Sequence, residues 1–246
     1  MRARTVEAEA VSKRRPSREG KTPVRPRDAA ALILLRGEGR DLEVLLGRRL
    51  PHLRFMPGIY VFPGGAIDPE DRAAWGVESE SEALPPRLLK AARAALRETW
   101  EETGVLIGRP AASLAAPDSA TAIEGAYRAS RLTATMNLLS YVGRAITPSH
   151  SARRFNTRFF VVEGVHAFGE PKPGAELEDV GWHPIGRRPP DPPLREVSRF
   201  MLARALALRA GTASAEPPLF YWKGGRRIGI CREGFSPPAA ECGERR

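Results

Sequence analysis

The chain has 246 residues, 42% of them hydrophobic, enough for one sizeable core and one domain with tails. Its formal net charge is +10, and no apolar run approaches the roughly 20 residues that a membrane helix requires. The N-terminus holds no apolar h-region, so neither a secretory leader nor a membrane-bound class is expected.

Residues 1–27 carry nine Lys/Arg and three acids, so +6 of the charge sits there and only +4 in all that follows. A basic stretch with few apolar residues cannot bury a core, and it reads as a disordered tail, dispensable for turnover. An Arg-rich transit peptide is the weaker reading, because such peptides are poor in acids. Ala29–Leu35 predicts a buried strand. The turn Arg36–Gly39 joins it to a second apolar run, Leu42–Gly47, as a hairpin. Ile59–Phe62 predicts a third strand, bounded by Pro57-Gly58 and Pro63-Gly64-Gly65.

Residues 72–86 are polar and read as a surface excursion near the site entrance. Arg87–Thr103 is the clearest helix, with Pro85-Pro86 at its entry and Gly104 at its end. Its expected apolar or small face is Leu89, Ala92, Leu96, Thr99 and Thr103. A second helix is expected at Ala120–Ser130, strands at Leu138–Ile146, Arg158–Val162 and Asp179–His183, and a last helix at Leu194–Arg209. A short apolar patch, Leu219–Trp222, precedes a basic Gly-rich end. Cys231 and Cys242 have neither CxxC nor Cys/His spacing, so two reduced thiols are expected rather than a disulfide framework or a zinc site. Strands mixed with helices argue for an α/β sandwich.

Chemistry concentrates in Arg97-Glu98-Thr99-Trp100-Glu101-Glu102-Thr103-Gly104-Val105. On a helix, Glu98, Glu101 and Glu102 stand at i, i+3 and i+4, which puts three carboxylates on one face. Like charges so close repel, and a hard divalent cation such as magnesium rewards them. A solvated acidic face with Arg97 paired to Glu101 is the plain structural alternative. Upstream, two glycines in Phe62-Pro63-Gly64-Gly65 let backbone approach a ligand or metal closely.

This combination resembles the Nudix hydrolase family. Its signature opens on Gly, has an acid six residues later, then Arg-Glu, two residues, Glu-Glu, one residue, Gly and an aliphatic residue. Gly65, Arg97-Glu98, Glu101-Glu102, Gly104 and Val105 match. Asp71 lies six residues after Gly65, where the family usually has Glu. Residues 72–96 then intervene where the family has about seven, which puts the role of Asp71 in question. Leu46-Gly47-Arg48-Arg49, Leu53–Gly58 and Val61–Asp68 look like the subgroup containing peroxisomal coenzyme A diphosphatases. Arg154–Phe160 and Glu176–Val180 look like its bacterial members.

The resemblance implies a Nudix fold, an α/β/α sandwich around a mixed β-sheet, over residues 28–210. An insertion at about 72–86 and a C-terminal extension, 211–246, complete the expected organisation. It implies a Mg2+- or Mn2+-dependent hydrolase that splits the diphosphate of a nucleoside-diphosphate-linked substrate, with coenzyme A or acyl-coenzyme A first. Glu98, Glu101 and Glu102 would be metal ligands, joined by a backbone carbonyl of Gly64 or Gly65. Glu98 doubles as general base in some relatives, and Arg97 would orient a glutamate. A late-loop acid is sought among Glu176, Glu178 and Asp179, which otherwise read as surface acids.

Arg48, Arg49 and Arg54 would grip substrate phosphates, or else face solvent on a hairpin edge. Arg153, Arg154 and Arg158 pose the same choice. His52, His150, His166 and His183 have no ligand spacing, and Trp75, Trp182 and Trp222 suit packing better than base stacking. The alternatives are hydrolysis of other dinucleotides, an RNA-processing pyrophosphohydrolase, and an inactive binding module. The three intact glutamates oppose the module. The +4 domain, without interleaved aromatic and basic residues, opposes a nucleic-acid partner. A cytoplasmic enzyme acting on a small nucleotide-like molecule is expected, with a homodimer left open.

Overall fold

The computed structural model describes residues 24–53, 55–78, 84–112, 121–185, 194–223 and 227–232, with backbone alone for 223 and 227–232. Residues 1–23 of the expected 1–27 tail, Arg54 and the side chains of both cysteines lie outside the described residues.

Strand β1 (Arg27–Arg36) is buried from Ala29 to Leu35. Leu32 and Leu34 enter one apolar cluster, whereas Ile33 and Leu35 enter another. A strand covered on both faces reads as a continuous apolar run, which is why this segment shows no alternation. Strand β2 (Glu43–Arg49) returns antiparallel to it, with Leu35 opposite Val44, so the expected hairpin forms. Strand β3 (Tyr60–Val61) adds to β2, and β4 (Gly64–Ala66) pairs antiparallel with β1 at Ala29–Ala31.

Helix α1 (Pro86–Thr103) follows. Then come β5 (Leu106–Pro110), α2 (Ala122–Ala129), β6 (Leu132–Ala134), β7 (Ser140–Ile146) and β8 (Phe155–Glu163). The remainder is β9 (Ala167–Phe168), β10 (Leu177–Pro184), α3 (Glu196–Arg209), β11 (Pro218–Lys223) and β12 (Arg227–Arg232). The main sheet runs β10-β2-β1-β8-β7-β11-β12, and a small sheet runs β6-β5-β9. β1 with β8 and β7 with β11 are parallel, so the main sheet is mixed.

One cluster sets Leu32, Leu34, Leu45 and Phe160 of the sheet against Leu88, Ala92 and Leu96 of α1. The other sets Ile33, Leu46, Val142 and Val161 against Met201, Leu202 and Ala205 of α3. A mixed sheet between two helical layers is the expected α/β/α sandwich. Among the described residues no helix is long and apolar enough to cross a membrane.

Two expectations fail locally. The segment after Asp71 is not simply a surface excursion. Trp75, Val77 and Leu84 are buried in the α1-side core, and residues 79–83 lie outside the described residues. Val77 O accepts the Ala134 N–H at 2.8 Å, and Glu78 takes the Arg93 guanidinium at 2.5 Å. Three apolar anchors thus tie this polar-looking stretch to β6 and α1. Nor does order begin at Asp28: Arg27 already belongs to β1, and Arg154 donates to Val24 O at 2.8 Å.

Candidate active site

Helix α1 carries Glu98, Glu101 and Glu102 to its C-terminal end, where they face β4 and the turn before it. The helix stops because Gly104 adopts the left-handed conformation (φ 73°) and returns its N–H to Trp100 O at 2.7 Å. The glycine turn lies so close that a Cβ at Gly65 would sit 2.3 Å from Glu98 Oε1, and one at Gly64 would sit 2.4 Å from Ala30 O. Gly64 N–H donates to Glu102 Oε2 at 2.8 Å. Backbone approach therefore requires glycine at Gly64, whereas a side chain at Gly65 would displace the Glu98 carboxylate.

Arg97 is the hub. It is 2% exposed, and its guanidinium grips Asp71 in bidentate fashion at 3.1 and 2.9 Å. The same group donates to Glu98 Oε1 at 3.1 Å, Glu101 Oε2 at 2.9 Å and Ala66 O at 3.0 Å. Asp71 is fully buried and also accepts the Asp68 N–H at 2.8 Å. The chain between Gly65 and Arg97 is long, yet it returns Asp71 to the base of the acidic helix end. The plain alternative, Arg97 paired with Glu101 on a solvated face, describes one contact of this network and misses its buried half.

Burial pushes the Glu102 carboxyl up to about 8; the Gly64 N–H and Arg49 oppose the rise, and the Glu98 charge adds to it. Burial likewise pushes Glu98 up to about 7, with Arg97 opposing and Glu101 reinforcing. Glu101 is raised too, again by burial, with Arg97 opposing. Burial therefore outweighs the one guanidinium, and the protonated carboxyls are favoured at this helix end. Among the described residues no three carboxylates converge as a ready-made cage, since Arg97 holds Glu98 and Glu101 while Gly64 holds Glu102. The donor set itself, hard carboxyl oxygens that a bound cation would hold in their ionised form, fits a hard divalent cation.

A pH dependence follows. Folded Glu98 and Glu102 keep their protons up to about 7 and 8, against an ordinary value of 4.5. Between those values the folded state binds more protons than the unfolded state, so metal-free stability should fall as pH rises from about 5 to 8. Asp28 and Glu124, both held low, are ionised in both states across this window. A cation favours the charged carboxylates, so magnesium should raise Tm more at pH near 8 than near 5. Thermal denaturation with and without metal checks this, and a metal-free Tm that climbs over the interval contradicts it.

The remaining sequence candidates divide. Arg49 donates to Phe55 O at 2.9 Å and to Glu176 Oε2 at 3.1 Å, and both Arg49 and Glu176 act on the Glu102 carboxyl. Arg48, one residue earlier, is exposed and pairs with Glu178 Oε1 at 3.1 Å across β2 and β10. Asp179 accepts from the Tyr60 hydroxyl. Of the three late acids, Glu176 is thus the one placed electrostatically beside α1. Arg154 bonds Thr147 O and Val24 O, Arg158 reaches Asp28 at 3.4 Å, and Arg153 is exposed. Trp75 is core, and Trp182 carries the Arg36 guanidinium 4.3 Å over its ring. Glu70 and Asp68, 3.6 and 3.8 Å from Arg97, were not singled out by sequence; no spacing rule brings them to this helix.

The family model that matches residues 25–204 is that of the NUDIX domain. The chain belongs to the Nudix family. It is 32% identical over 152 residues to a curated nudix hydrolase 7 of Caenorhabditis elegans, a match covering 58% of this chain and 46% of that protein. The chain therefore spans about half the length of that relative. The crystal structure of a NUDIX hydrolase from Alicyclobacillus acidocaldarius is similar at 31% identity and a TM-score of 0.58, over 78% of this chain and 99% of the other. Nudix hydrolases generally use divalent metal ions, and the donor set at the end of α1 accords with that.

Proposed function

We propose that this protein hydrolyses the diphosphate linkage of a nucleoside-diphosphate-linked small molecule with Mg2+ or Mn2+, and that coenzyme A and acyl-coenzyme A are its foremost substrates. The observation that carries the proposal is the Asp71–Arg97 clasp, which orients Glu98 and Glu101 while the glycine turn orients Glu102. A surface acidic patch has no use for a buried bidentate anchor. The coenzyme A assignment rests on the resemblance of Val61–Asp68 and Arg154–Phe160 to that subgroup.

In this reading Glu98, Glu101 and Glu102 hold the ion, with a carbonyl of Gly64 or Gly65. When bound, the ion neutralises phosphate oxygens and makes hydroxide accessible at neutral pH. Water attacks one phosphorus, the bridging P–O bond breaks, a phosphate ester leaves, and Glu98 accepts the proton of the water. Arg97 positions these carboxylates and does not touch substrate. Arg48, Arg49 and Arg54 meet the substrate phosphates, the first two exchanging Glu178 and Glu176 for them.

A panel of coenzyme A, acyl-coenzyme A, dinucleotides and capped RNA, with magnesium, manganese or excess chelator, tests the proposal by product mass. Chelator should abolish turnover by at least about 10²-fold, as expected when the group supplying nucleophile activation is removed. Full activity in chelator would sink the metal mechanism, and cleavage of RNA alone would replace the substrate class.

A further inference from the structure

One cavity is not absorbed by the acidic site. It encloses about 500 Å3 and is lined by Arg25, Arg27, Asp28, Ile67, Arg72 and Lys90 among others. Its cations come from three separate stretches of chain. Its one carboxylate, Asp28, is already shared between Asn156 Nδ2 at 2.8 Å, Arg158 at 3.4 Å and Lys90 at 3.8 Å. Among the described residues no acid forms an ion pair with Arg25, Arg27 or Arg72. Four cations around a concave space with one carboxylate make a field that concentrates anions. Three of the four are guanidinium forks, whose shape matches phosphate oxygens.

The cavity and the acidic site share a wall. In the segment 66–72, Ala66 O and Asp71 hold Arg97, while Ile67 and Arg72 line the cavity. Along α1, Lys90 precedes Glu98 by eight residues, about 12 Å of helix. Arginines facing solvent near a chain end would be the plain reading. Their convergence with Arg72 and Lys90 on one cavity, backed by the segment that carries Asp71, goes beyond it.

We infer that this cavity is a phosphate subsite, which binds a phosphate monoester carried by the substrate away from the diphosphate that is cut. The inference rests on the hydrolase reading above. It also separates the basic N-terminal stretch into two parts. Arg25 and Arg27 belong to the subsite, so truncation after residue 23 should spare what truncation after residue 27 removes.

The test uses the full chain and matched ligands that differ by one phosphate monoester: coenzyme A against its 3′-dephospho form, and NADPH against NADH. Calorimetric binding is measured in chelator, where no turnover occurs, and KM and kcat are measured with magnesium. The parent should bind the phosphorylated member of a pair at least about tenfold tighter, a difference of about 1.4 kcal/mol. Inorganic phosphate should compete with that member alone. Arg27→Gln with Arg72→Gln should erase the difference by raising Kd and KM for the phosphorylated member, and leave kcat and the dephosphorylated member within about twofold. Because binding is read without turnover, a protein that cuts neither pair but still discriminates keeps the subsite and loses the hydrolase reading. Equal affinity for both members in the parent, or equal losses for both in the variant, overturns the subsite.

Discussion

Glu102→Gln should leave a protein that is folded, at least as stable as the parent without metal, and reduced in turnover by about 10²-fold or more. Loss of a neighbour of a metal ligand alone costs about 10–100-fold, and loss of a ligand should match or exceed that. Glutamine retains a side-chain oxygen that can accept the Gly64 N–H now held at 2.8 Å, so the turn keeps its anchor. What disappears is a charge at a position 6% exposed to solvent. Burial already pushes this carboxyl up to about 8, so at lower pH the neutral amide replaces a neutral acid and stability should barely move. Above that value the parent must carry a desolvated carboxylate one helical turn from Glu98. Removing one of two like charges at i, i+4 relieves a few tenths of a kcal/mol, and the desolvation relief adds to it. The stability advantage of the variant should therefore grow with pH in chelator and vanish when magnesium is added to the parent. Paired denaturation and turnover measurements decide the matter. A variant that is destabilised yet active would show that Glu102 serves the glycine turn and not the reaction.

Much of the sheet was legible because the strands that build its centre are buried on both faces. Ala29–Leu35 is apolar throughout and Arg158–Val162 is apolar after its first residue, and they became the central parallel pair β1 and β8. The strands that sequence missed are short or carry breakers. β4 is Gly64–Ala66, three small residues that read as a turn and pair only because β1 lies beside them. β5 runs Leu106–Pro110, with a glycine and a proline inside five residues directly after a helix stop. Helix α1 was placed almost to the residue, but its buried face also takes in Leu88, Ala91 and Ala95, because the helix is covered by the sheet and by Trp75, Val77 and Leu84 together.

The site divides in the same way. Local spacing reveals groups on one helix, so Glu98, Glu101 and Glu102 were visible. It cannot reveal a partner delivered by the fold. Arg48 and Arg49 looked alike as a basic pair, yet neighbouring residues on a strand point to opposite faces. Arg49 turns to Phe55 O and Glu176, whereas Arg48 stays exposed beside Glu178. Arg25 and Arg27 looked like tail charge, and only the position of Arg72 and Lys90 turns them into the lining of a cavity.

Asp71 is the residue whose role sequence left in question, and its substitution should have the largest effect on stability. Its carboxylate is fully buried and gives both oxygens to Arg97, itself 2% exposed. Asp71→Ala leaves a buried guanidinium without its bidentate partner, and breaking one side of a buried ion pair costs about 3–5 kcal/mol. Arg97 would still have Ala66 O, Glu98 and Glu101, but it would be free to swing toward the two glutamates. That swing competes directly with any cation for their oxygens. Asp71→Asn is the finer probe, because it keeps the volume and one acceptor and loses the charge, at about 1.5–3 kcal/mol for a charged hydrogen bond. If Asp71 positions Arg97, the asparagine variant should need more metal for half-maximal activity, and saturating metal should restore much of its kcat. A purely structural role would lower Tm while leaving the metal requirement of the folded fraction unchanged. A variant with parent Tm and parent metal dependence would remove Asp71 from both the fold and the site, and with it the clasp on which the assignment of this helix end depends.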